Sequence, residues 1–123
     1  MKSVLSLTLY NENEKILEIK DVEYHKEKEE ISFVHDNITY TIGTKKEKQY
    51  FIRESDEFTF SLDITKRTCT YLLKETNTML DVQVIDCSLE QRKNEIILEY
   101  DMESTEGKNK VHIDLKEGEY DAY

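Results

Sequence analysis

The residues with the richest chemistry in this chain are its three histidines, His25, His35 and His112, and no two of them are spaced i, i+2 or i, i+4. A zinc site or a proton-transfer pair would therefore have to be assembled by tertiary structure. No metal is expected. The acid clusters Glu54 to Glu57 and Asp101 to Glu106 hold oxygen ligands but lack the alternating spacing and glycine turn of a calcium loop. They read as solvated loops. No GxSxG, P-loop or Cys/His/Asn arrangement occurs, so no catalytic residue and no cofactor follow.

Arg53 is the more informative cation. It follows Phe51-Ile52 and precedes the loop leading to Phe58, so its guanidinium can close the end of a sheet structure by stacking on an aromatic ring or by binding carbonyl groups. It can also take the anionic end of a ligand. Tyr24, Tyr40, Tyr71 and Tyr100 share the inward parity of their segments with Phe33, Phe58 and Phe60. Buried tyrosine hydroxyls need partners, so several together imply plain packing with an internal polar network, or a small-molecule site. The candidate ligand-binding set is Arg53, Tyr40, Tyr71, Tyr100 and Phe60.

What must position these residues is a succession of strands. Arg67 to Ser88 reads as one hairpin turning at Thr76-Asn77, with opposed numbers summing to 153, so that Leu73 faces Leu80, Tyr71 faces Val82 and Cys69 faces Val84. Ile31 to Gly43 is a second, turning at Asp36-Asn37 with sum 73; Glu95 to Lys116 is a third, turning at Glu106-Gly107 with sum 213. In the third, Met102, Tyr100 and Leu98 face Val111, Ile113 and Leu115, Asp101 meets His112, and Glu99 meets Asp114. Lys2 to Tyr10, Lys15 to Lys26, Gln49 to Arg53 and Phe58 to Thr65 add further strands, with a parity switch near Lys20-Asp21 that signals a β-bulge. Leu89 to Asn94 reads as a polar connection. The sum is an all-β chain, a single antiparallel meander of about 8–10 strands by strand spacing. A closed barrel is preferred to a sandwich because closure removes edges and the bulge supplies a corner. Residues 1–117 form the domain and 118–123 a short tail.

Composition agrees. A chain of 123 residues is one domain, with no proline and glycine only at 43, 107 and 118. Its formal charge of −10, from 27 acidic and 17 basic residues, repels nucleic acid and anionic lipid. The alternating N-terminus is a strand and not a signal peptide, and no apolar run is long enough to span a membrane. A cytoplasmic protein is expected. Cys69 and Cys87 lie on opposite arms of the hairpin but out of register, with Cys87 opposite Lys66, so both are expected to be reduced.

The pieces FIRESDEFTFSLDI (51–64), TCTYLLKETNTMLDVQV (68–84), IILEYDM (96–102) and NKVHIDLKE (109–117) resemble the YwiB-like family of bacterial proteins of uncharacterised function. The resemblance covers most of the chain. It implies a calycin-type, lipocalin-like barrel in a cytoplasmic bacterial setting, and no active site to carry across. The function expected is non-catalytic: holding a small, mostly apolar ligand in the barrel mouth. The competing expectation is a protein-interaction module that uses acidic outer strands or outward apolar residues (Val34, Leu72, Met79, Ile85, Ile97), a homodimer included.

Overall fold

The computed structural model describes residues 3–103 and 107–116. Among them run twelve strands: β1 (Val4–Asn11), β2 (Glu14–Glu23), β3 (His25–Glu27), β4 (Glu30–His35), β5 (Ile38–Lys45), β6 (Lys48–Glu54), β7 (Phe58–Asp63), β8 (Thr68–Leu73), β9 (Thr78–Val82), β10 (Val84–Arg92), β11 (Glu95–Met102) and β12 (Asn109–Lys116). They pair antiparallel into two sheets, ordered β10-β11-β12-β1-β2 and β3-β4-β5-β6-β7-β8-β9. The expected single barrel is thus not formed as one ladder: among the described residues no hydrogen-bonded pairing joins the two sheets. The chain itself joins them. β2 runs on through Tyr24 into β3, and β9 through Gln83 into β10. Each edge strand of one sheet continues as an edge strand of the other. The two inner faces share a core that includes Leu5, Leu7 and Ile19 from the smaller sheet and Ile42, Phe51 and Leu62 from the larger. No helix is long and apolar enough to cross a membrane among these residues.

The alternation of residue types accounts for the faces. Ile31, Phe33, Tyr40, Ile42, Phe51, Phe60, Leu62 and Cys69 are buried on the larger sheet, and Ile96, Leu98, Tyr100, Met102, Val111, Ile113 and Leu115 on the smaller. The Ile31–Gly43 hairpin has the expected register, Phe33 opposite Tyr40, because Asp36 and Asn37 both take positive φ, 51° and 63°. That is the conformation of a two-residue primed turn. The bulge near Lys20-Asp21 is present too: the ladder steps from Leu5↔Val22 to Leu7↔Ile19 and Asp21 has φ 52°.

Two registers differ from expectation. The β8–β9 hairpin pairs Tyr71 with Leu80 and Cys69 with Val82, not with Val82 and Val84. The turn takes four residues, Lys74 to Asn77, and only Asn77 adopts positive φ; a two-residue primed turn would force Thr76, β-branched, into the left-handed region. The β11–β12 hairpin pairs Leu98 with Val111 and Tyr100 with Asn109, a sum of 209 instead of 213. There the side-chain amide of Asn11 donates to Asn109 at 3.0 Å, fixing the start of β12 against β1. Glu99 accordingly lies opposite Lys110, and Glu95 opposite Asp114, while His112 meets Ile97 and not Asp101. Glu106 and the tail 118–123 lie outside the described residues. Leu89 to Arg92 is not a polar connection but the end of β10, an edge strand whose outer positions are polar because only one side is paired. Cys87 pairs with Tyr100 on β11 and not with Lys66, its thiol donates to the Ile64 carbonyl at 3.6 Å, and both cysteines are free and buried.

At Gly43 an aromatic ring takes the place of a side chain. Gly43 lies opposite Tyr50, and a Cβ there would fall within the Tyr50 ring. That ring is held by its hydroxyl, which donates to the Glu30 carboxylate, and burial together with this bond pushes the phenol up to about 12. Gly43→Ala is expected to displace Tyr50 and destabilise the fold by about 1–3 kcal/mol, the range for overpacking. In a Tyr50→Ala background the same change should cost little, and urea titrations of the four proteins measure the coupling directly.

Candidate functional site

Because neighbouring strands of the larger sheet follow one another in the chain, inward residues at one depth line up across it. The row two residues in from the rim is Phe33, Tyr40, Arg53, Phe60, Tyr71 and Leu80, each directly opposite the next on β4 to β9. Arg53 is the one charged member of that row. The rim above it carries Ile38, Phe58 and Leu73, of which Phe58 and Leu73 oppose each other. Four of the five sequence-chosen site residues, Tyr40, Arg53, Phe60 and Tyr71, are therefore adjacent. Tyr100 arrives from the opposite sheet and meets Phe60 at 6.2 Å between ring centroids.

The Arg53 guanidinium lies 5.7 Å from the centre of the Tyr40 ring and 6.0 Å from that of Phe58, within range of cation–π attraction. Each ring is itself held in a stack. Phe33 lies on Tyr40 at 4.7 Å with planes 5° apart, and Phe58 on Tyr71 at 5.6 Å and 3°. The clamp is braced from the loop before β7. Ser55 Oγ accepts the amides of Glu57 and Phe58 at 3.1 and 3.4 Å, and Lys74 N donates to Glu57 O at 3.0 Å. On the outer face the Lys74 ammonium donates to Glu54 at 2.9 Å, which holds that carboxyl below its ordinary range. Glu54 is thereby occupied on the far side of the sheet from Arg53.

Arg53 Nε is fully enclosed and has no hydrogen-bond acceptor among the described residues. A buried, unpaired donor costs about 1–3 kcal/mol, and more when it is charged. Tyr100 is 6% exposed; burial raises its phenol to about 12 in spite of the opposing pull of Arg53, so the hydroxyl is neutral at ordinary pH.

The five residues differ in access. Tyr40, Phe60 and Tyr100 are buried and make the wall and floor, whereas Arg53 and Tyr71 are half-buried. Open space begins at Tyr71: a cleft of about 380 Å³ is lined by Phe58, Tyr71, Leu73 and Lys74 together with the acids Asp56, Glu57 and Glu75, and Arg53 is not part of its lining. Phe58 belongs to the site although absent from the five residues chosen. It sits two positions before Phe60 on the same face, so parity alone pointed to it.

These features define an all-β, two-sheet protein with an arginine clamped between aromatic rings at one end of its core. Among solved structures, the crystal structure of the YwiB protein from Bacillus subtilis is similar, with TM-score 0.57 over 95% of this chain and 90% of that one. The sequences are 10% identical, so the likeness is one of fold. No family model and no curated protein sequence matches the chain.

Proposed function

We propose that this is a non-catalytic binding protein of calycin type, which takes a small ligand with an apolar body and one anionic end at the rim formed by Phe58, Tyr71 and Leu73. The observation that carries the reading is the enclosed Nε of Arg53 without an acceptor, beside aromatic side chains that open to a cleft. A carboxylate or sulfonate entering past Phe58 would supply the missing acceptor and neutralise the cation. Its apolar part would lie on Phe58, Tyr71 and Leu73. The continuation of each edge strand into the other sheet around a shared core supports the calycin-type reading.

Calorimetric titration with dodecanoate and with dodecanol, identical apart from the head group, tests this. Dodecanoate is expected to bind more tightly by about 10- to 100-fold, the factor that a charge-assisted hydrogen bond supplies. Arg53→Met should erase the preference while leaving the circular dichroism spectrum unchanged. Equal affinity for the two, or no binding of either, rules the reading out.

A second reading, a protein-interaction surface, has its own observation. Met79 and Ile85 are 61% and 55% exposed on or just beyond the edge strand β9, with Leu72 opposite Met79 on the outer face. Val34 is as exposed but four strands away from β8, so the outward apolar residues do not form one patch. Native mass spectrometry distinguishes a dimer from a ligand-bearing monomer.

A further inference from the structure

On the outer face of the smaller sheet, β11 and β12 bring together three side chains that lie apart in the sequence. Glu95 is directly opposite Asp114, and His112, two residues before Asp114, points to the same face. His112 Nε2 is 3.1 Å from Glu95 Oε2 and 3.8 Å from Asp114 Oδ1. All three ligand atoms fall within 4.8 Å of one another.

We propose that Glu95, His112 and Asp114 bind one divalent transition-metal ion, for which zinc is the probe. Two carboxylates opposed across an antiparallel ladder repel each other, and a cation held between them turns that repulsion into coordination. Imidazole combined with carboxylates suits zinc and its neighbours better than magnesium or calcium. In a tetrahedral site with bonds of about 2.0–2.1 Å, ligand atoms stand about 3.3–3.4 Å apart. The two distances from His112 bracket that spacing, and Asp114, with a side chain 55% exposed, is free to close the third side. Arg92 supports the arrangement: its Nη1 lies 3.3 Å from Glu95 Oε1, which leaves Oε2 turned toward His112. Three protein ligands leave a fourth position for water. On a solvated sheet face the ion clips β11 to β12, and its role is structural or sensory.

Zinc chloride titrated into the untagged, chelator-treated full-length chain should show one equivalent bound per chain and a melting temperature that rises with zinc concentration. His112→Gln should weaken binding by at least the roughly tenfold that even an outer-shell partner costs, and Asp114→Asn should also weaken it. Both variants should keep the wild-type melting temperature in chelator within a few degrees. Asp101→Asn, an acid on β11 outside the cluster, should bind as the wild type does. Binding that survives in both cluster variants, or no saturable binding by the wild type, overturns the proposal. A cobalt(II) titration adds a readout independent of stability, since the visible absorption of a four-coordinate site should appear in the wild type and vanish in His112→Gln.

Discussion

Leu62→Ala is expected to lower the unfolding free energy by about 3–5 kcal/mol, against a typical domain stability of about 5–15 kcal/mol. Leu62 is 0% exposed on β7, between Phe51 on β6 and Cys69 on β8. It occupies the deepest shared row of the larger sheet, Ile31, Ile42, Phe51, Leu62, Cys69 and Val82, which packs against the smaller sheet. Strands on both sides hold the backbone, so the surroundings cannot collapse into the space left by the lost atoms, and the cavity cost adds to the transfer cost. Leu73→Ala supplies the contrast. Leu73 shares the inward parity of β8 but is 38% exposed at the rim, and its truncation should cost under about 1 kcal/mol. Urea unfolding with unchanged m-values checks both. If the two variants lost similar amounts, the depth ordering of the rows would be wrong.

That ordering was legible in the sequence to a definite depth. Odd and even positions assigned the faces of β8, β9, β11 and β12 correctly even where registers differed, because these ladders shifted by two and by four residues and an even shift preserves parity. In β10 the shift between Val84 and Asp86 breaks the count and turns Cys87 into the core. Thus Tyr71 and Tyr100 turned inward as expected while their cross-strand partners did not match. The registers themselves depended on turn chemistry: Asp36-Asn37 specifies a two-residue turn unambiguously, whereas Thr76 resists one. The alignment of Tyr40, Arg53, Phe60 and Tyr71 followed from the meander of β5 to β8. The meeting of Phe60 with Tyr100 did not, since the stacking of one sheet on another leaves no local mark. The division into two sheets was equally hidden. The chain passes between them at Tyr24 and Gln83, where neither glycine nor proline marks the break. For the same reason Glu95, His112 and Asp114 could not be grouped from the sequence; only the observed ladder puts Glu95 beside the other two.

Alkaline pH is where the core should weaken through Cys69 and Tyr100; Cys87 and Tyr50 are raised in the same direction and add to the same loss. Burial raises the Cys69 thiol from 9.0 to about 11 and the Tyr100 phenol from 10.0 to about 12. Both groups are neutral when protonated, and the folded chain holds their protons more tightly than the unfolded chain does. Their protonated forms are thus equally favourable in both states below pH 9, and stability falls as pH rises through 9 to 11 for Cys69 and 10 to 12 for Tyr100. For Tyr100 the two-unit rise corresponds to about 2–3 kcal/mol lost by pH 12, and Cys69 contributes a loss of similar order one unit earlier. Tyr100→Phe removes the phenol without removing the ring that rests on Phe60. It should therefore leave stability at pH 7 little changed while moving the alkaline unfolding midpoint upward. Cys69→Ser would confound the test by placing a hydroxyl in an apolar site, so Cys69→Ala is the better partner, and the double variant should hold its fold furthest into base. A wild type whose stability was flat from pH 8 to 12, or a Tyr100→Phe variant that unfolded at the same pH, would place the phenol in contact with water and contradict the packing of β11 over the Arg53 row.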